Sequence, residues 1–83
     1  MNATVIAVNH SLGALVAELE DKSCVVLEIP NIFIADMGDS LDAVWQSADL
    51  IMVHNTTKDS EFAARIDKVT ESRSEAISSI SLV

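Results

Sequence analysis

The sequence predicts a mainly β fold, a small five- or six-stranded antiparallel barrel or half-barrel with a short C-terminal helix. Two observations lead there. Short runs rich in β-branched and aliphatic residues alternate apolar with polar at period two between turn-forming stretches, and a capping-box helix start lies near the C-terminal end. In so short a chain, rolling the strands up shields both sheet edges and concentrates a small core.

The first run, Ala3 to Asn9, is rich in β-branched residues and too short for a comfortable helix, so it reads as a strand. Asn9-His10-Ser11-Leu12-Gly13 supplies turn chemistry. From Ala14 to Glu20 the alternation is clear, with Leu15, Ala17 and Leu19 on one face and Val16, Glu18 and Glu20 on the other. Asp21-Lys22-Ser23 has hairpin length, and Cys24 to Ile29 resumes a strand with Val25, Leu27 and Ile29 inward, paired antiparallel to its predecessor. Pro30-Asn31 stops that ladder, since proline lacks a donor and restrains the residue before it. Ile32 to Ala35 reads as another short extended piece before a glycine turn at Asp36-Met37-Gly38-Asp39.

Ser40 to Met52 carries two periodicities. Leu41, Val44, Trp45, Ala48 and Met52 fit a helix with Ser40 and Asp42 at its start, while Leu41, Ala43 and Trp45 fit period two, with a turn at Ser47-Ala48-Asp49 into a strand from Leu50 to His54. We prefer strand-turn-strand, partly on a resemblance given below. Asn55 to Ser60 is a polar loop. Glu61 to Val69 alternates again, with Phe62, Ala64 and Ile66 opposed to Arg65 and Asp67. Ser72-Arg73-Ser74-Glu75 matches a capping box, which places a helix from about residue 73 that must rest its Ile77/Ile80 edge on the sheet or on a partner.

The segments Val5 to Asn9, Gly13 to Asp21, Met37-Gly38-Asp39, His54 to Lys58 and Glu61-Phe62 together resemble the pattern of a group of small uncharacterised bacterial proteins. Their fold is a compact β-barrel of the OB-like or Src-homology-3-like kind. The resemblance covers about residues 3–68 and implies that fold without implying an activity. It departs where those proteins often carry glycine, near Lys58-Asp59 and after Trp45; this chain has Asp59 and Ser47-Ala48 there.

At 83 residues the chain is expected to form one domain, residues 1–83. Hydrophobic residues make up 49%, too many for a disordered acidic tail, whose apolar area is too small to offset the entropy of ordering. The net charge is −8. Five Lys and Arg, unclustered and not interleaved with aromatics, argue against nucleic-acid binding, which draws its affinity from a basic stripe, and against anionic membranes. The single cysteine permits no intrachain disulfide and fits a reducing cytoplasm, and neither a positive leader nor an apolar span is visible.

No catalytic residue, metal site or cofactor is assigned. His10, His54 and Cys24 have no two-ligand spacing on one element. Cys24, at the start of an apolar strand, reads as a small hydrophobe rather than a nucleophile. With only Gly13 and Gly38, no phosphate-cradling loop is present. Phe62 and Trp45 read as core residues, Trp45 with the alternative of anchoring an interface.

Two surfaces remain. Charge gathers between residues 36 and 61, which sum to −5 through Asp36, Asp39, Asp42, Asp49, Asp59 and Glu61 against Lys58. Apolar residues also occupy both strand parities, so a second face must be covered by the curled barrel, by the helix or by another subunit. A private second core is hard to build from so few residues, so the expected cover is another copy or another protein, with Val16, Val26, Leu50, Met52, Ile77 and Ile80 as the interface. The function expected is a non-enzymatic small-barrel protein-interaction module that associates with itself, as a homodimer, or with another protein. Two alternatives stand beside it: an acidic nucleic-acid mimic that blocks a basic protein, and a small-molecule binder or enzyme whose pocket is lined by Trp45 at a dimer interface.

Overall fold

A computed structural model describes residues 2–29, 35–45 and 49–80. Six strands, β1 (Asn2–Asn9), β2 (Ala14–Leu19), β3 (Cys24–Glu28), β4 (Ser40–Asp42), β5 (Leu50–Asn55) and β6 (Ser60–Thr70), precede one helix, α1 (Arg73–Ser79). The strands close into a barrel in the order β1-β2-β3-β6-β5-β4, every neighbouring pair antiparallel. An even number is what such closure requires, because direction reverses at each step round the ring.

The elements follow the residue pattern closely. Between residues 40 and 55 the described residues form strands at both ends and no helix, although β4 stops at Asp42 and Trp45 lies beyond its end. The inward parity Leu41, Ala43, Trp45 survives that early stop: Leu41 and Trp45 are buried and Ala43 packs against them. The extended piece expected at 32–35 and the turn at 47–49 fall mostly on residues outside those described.

The barrel core is made of the residues that alternation placed inward, Leu15, Ala17 and Leu19 on β2, Val25 and Leu27 on β3, and Phe62 and Ala64 on β6. Two β-bulges interrupt that alternation. In β1 the register slips between Val5 and Ala7, so Val5 faces the core, Ile6 and Ala7 lean outward, and Val8 turns in again. In β6 the register slips opposite Val26/Leu27, with Asp67 as the extra residue between Ile66 and Lys68. Each bulge adds local twist and bends its strand, which lets a short sheet curl far enough to meet itself.

The turns carry the expected chemistry. Gly13 sits at φ +66°, and its carbonyl accepts from the Ile29 amide at 2.8 Å. A methyl there would lie 3.1 Å from the Ile29 carbonyl oxygen. Gly13→Ala is therefore expected to cost about 1–2 kcal/mol from the left-handed backbone alone, measured by urea denaturation. An unchanged midpoint would mean that the turn rearranges freely. At the β5–β6 turn Asp59 adopts φ +52°, a left-handed conformation that aspartate tolerates better than most residues with a side chain.

α1 is where the structure departs from expectation. Ser72 caps it, accepting from the Glu75 amide at 3.2 Å. The capping box is only half made, because Glu75 turns to Lys68 at 2.7 Å and the Ser72 amide donates to Thr70 Oγ1 instead. The helix lies outside the barrel over β2, β3 and β6, where Ala76 and Ile80 bury Val16, Cys24, Val26 and Ala14 in a second apolar cluster flanked by Ile6 and Ala7.

Candidate functional site

The private second core judged too costly from the sequence therefore exists. Seven helical residues suffice because the residues beneath are small, and because the helix is fastened at several points. Arg73 donates to both carboxylate oxygens of Glu18, at 2.9 Å from its Nη2, and the Asn9 side-chain amide donates to the Ile80 carbonyl at the helix end. Val16, Val26 and Ile80 are corrected accordingly: they are buried by the chain's own helix and offer nothing to a partner. Ile77 is half-buried on the same helix. Cys24 is fully buried there, and burial, reinforced by the charge of Glu18 against the smaller effect of Arg73, pushes its thiol pKa up from 9.0. At neutral pH it is a protonated core residue.

The acidic stretch also separates. Asp39 is buried, and its Oδ2 accepts from the Asn55 side-chain amide at 2.9 Å, from the Asp36 amide at 2.9 Å and from the Lys58 ammonium. Lys58 Nζ also donates to Asp36 at 2.8 Å, and the Lys58 amide donates to Asn55 Oδ1 at 3.0 Å. Burial acts to raise the Asp39 carboxyl, but the hydrogen bonds from Lys58, Asn55 and Asp36 outweigh it and hold the group below the ordinary aspartate value. The hydrogen bonds to Asp36 and Asp39 raise Lys58 in turn. This cluster pins the 36–39 turn to the β5–β6 turn and, through the Val5 amide bonded to the Asp39 carbonyl at 2.9 Å, to β1. It closes the barrel where β4 is only three residues long. Asp39 is thus taken out of the acidic surface expected of it, whereas Asp36, paired with the same Lys58, stays exposed.

The other four carboxylates stay outside. Asp42 on β4 and Glu61 on β6 are the register partners of His54 on β5, and Asp59 Oδ1 lies 3.7 Å from the His54 imidazole. Asp49 stands at the opposite end of β5, its carbonyl accepting from the Ile66 amide. Among the described residues no group of three His, Cys, Asp or Glu is placed to hold a metal ion.

Between these two ends runs the part of the outer surface that α1 does not cover. Leu50 and Met52, two residues apart on the same face of β5, are 66% and 61% exposed. Across the ladder Leu50 meets Arg65, Met52 meets Ala63, and His54 meets Glu61, all on the outer side of β6. Leu12, Met37, Val44 and Val69 are also exposed, but none of them lies on this face of the β5–β6 ladder. An open recess of about 310 Å³, bounded by Glu28, Ile29, Leu50, Ala63 and Arg65, adjoins the Arg65 end of the strip. No family model, curated protein or solved structure matches the chain.

Leu50 and Met52 were legible as surface candidates from their parity. Arg65 and Ala63 were not singled out, although alternation already placed Arg65 outward, because only the β5–β6 register puts them beside Leu50 and Met52. Trp45 is corrected as a pocket-lining candidate: it is 2% exposed and fills the core. No helix among the described residues is long and apolar enough to cross a membrane.

Proposed function

We propose that the chain is a non-enzymatic small-barrel interaction module that associates with itself through the outer face of β5 and β6. The observation that carries this reading is the pair Leu50 and Met52, adjacent on one strand face and about two-thirds exposed, while the comparable apolar face over β2 and β3 is sealed by α1. A protein that covers one outer apolar patch with its own helix and leaves the other open has a place for a partner. An acidic mimic is less well supported, because it needs free carboxylates and two of its six are engaged with Lys58. A ligand-binding or enzymatic reading is less well supported because Trp45 is buried and Cys24 is covered and protonated.

Val26, buried under α1, is a poor probe of association, whereas Met52, exposed on β5, is a clean one. Met52→Lys is expected to shift the protein to monomer in sedimentation velocity at high micromolar concentration, with a stability change within about 0.5 kcal/mol, as for exposed positions. A wild-type chain that sediments as a monomer at that concentration would remove the self-association reading.

A further inference from the structure

The helix α1 belongs to only one of the chain's two apolar clusters. Among the described residues the barrel core draws on the strands and on Ile29, Ala35 and Trp45, whereas Ala76 and Ile80 enter only the outer cluster with Ala14, Val16, Cys24 and Val26. The ring closes through six strand ladders, and α1 takes part in none of them. The barrel is therefore complete without its helix, and the outer cluster is not.

The hold on α1 is slight. Of its own seven residues only Ala76 is buried, and an alanine removes little apolar area from water; Ile80, at the C-cap, adds the one large side chain. The Arg73 side chain that pairs with Glu18 on β2 is 59% exposed, so water weakens the pair. Glu75 bonds Lys68 and Thr70 on β6, the strand to which Glu71 and Ser72 join the helix. Those bonds need not break for α1 to leave β2 and β3. What must break is the Arg73–Glu18 pair and the bond from the Asn9 side-chain amide to the Ile80 carbonyl. An open cleft of about 160 Å³ bounded by Leu12, Ala14, Val26 and Ile80 undercuts that far end. Seven residues do not sustain a helix alone, so once lifted α1 melts and gains backbone entropy.

We propose that α1 is a lid, hinged at Glu71 and Ser72, that opens by itself while the six-stranded barrel stays closed, and that its opening bares the outer face of β2 and β3 with the Cys24 thiol on it. Association through β5 and β6 is a separate matter, since neither Leu50 nor Met52 belongs to the cluster under the lid. Cys24 reports the opening. It is the only cysteine, it is fully buried beneath α1, and its register neighbours are Glu18 and Thr70, which Arg73 and Glu75 hold.

The test is thiol labelling of the full chain in low urea, where the rate divided by that of the unfolded chain gives the opening equilibrium. Wild type is expected to label through an opening with roughly half or less of the urea dependence of global unfolding, because lifting α1 exposes a small share of the surface. Arg73→Ala is expected to speed labelling about twofold to fivefold, and Ile80→Ala about tenfold or more. Loss of the Arg73 charge alone would slow the reaction, since that charge favours the thiolate, so acceleration reports opening. Val53→Ala, inside the barrel on β5, should raise the global unfolding constant about tenfold or more yet leave Cys24 labelling unchanged, because the open-lid state keeps the barrel core. Ile51→Val makes the same comparison with a milder loss. Labelling that follows the full urea dependence and quickens in Val53→Ala or Ile51→Val would overturn the lid, as would labelling indifferent to both α1 variants.

Discussion

Truncation of Trp45 to alanine is expected to cost about 3–5 kcal/mol of folding stability, the largest loss from any single substitution considered for this chain. Trp45 is the largest of the fully buried side chains and sits just past the end of β4, the shortest strand. Its indole fills the barrel where the backbone ladder has already stopped. Truncation leaves a cavity that the ring of strands cannot collapse around without breaking pairing. For a domain of this size the melting temperature should fall by on the order of 15 °C or more. Differential scanning calorimetry checks it, and a fall of only a degree or two would place the indole outside the core.

Asp39→Ala should be the second-largest effect, about 2–3 kcal/mol, because it strips the shared acceptor from the Asn55 amide, the Asp36 amide and Lys58 at once. The lower end of the range for a broken buried pair applies, since the Lys58 side chain is about one-third exposed and water can reach it. The pH dependence has a definite sign. The folded carboxyl lies below the ordinary aspartate value of 3.8, so as pH falls the unfolded chain takes up the proton first. The stabilisation is complete well above 3.8 and fades as pH drops through the lower folded value. Urea denaturation of wild type and Asp39→Ala at pH 7 and pH 3 should show the gap between them narrowing at pH 3. A gap that stays constant would mean that the carboxylate charge contributes nothing.

Most of the fold was readable because its strands are short and half-buried. Leu15, Ala17 and Leu19 against Glu18, and Val25 and Leu27 against Glu28, state their faces by parity alone. What parity could not state is where it breaks. The bulges at Ile6 and Asp67 have no local signature, since neither glycine nor proline marks them, yet they decide which residues lie under α1. The cover of Val16 and Val26 was misjudged for a related reason. A seven-residue helix looks too small for a second core until Arg73 is seen on Glu18, a pairing across 55 positions that no local pattern encodes. On the candidate site, Leu50 and Met52 were visible as apolar residues of the wrong parity. The six acids gave no sign that Asp39 alone would be buried, because its burial depends on Asn55 and on Lys58 reaching back across the 36–39 turn.

The fastening of α1 also bears on how the chain matures. The helix is tied to Glu18 and Asn9 across separations of 55 and 71 residues, and β3 finds its second neighbour only in β6. As the polypeptide is synthesised from its first residue onward, Val16, Cys24 and Val26 form an early hairpin surface that stays wet until residue 80 has emerged. The outer face of β2 and β3 is thus a temporary sticky patch of the nascent chain. Ribosome-bound intermediates halted after β6 should bind holdase chaperones more strongly than those released past α1.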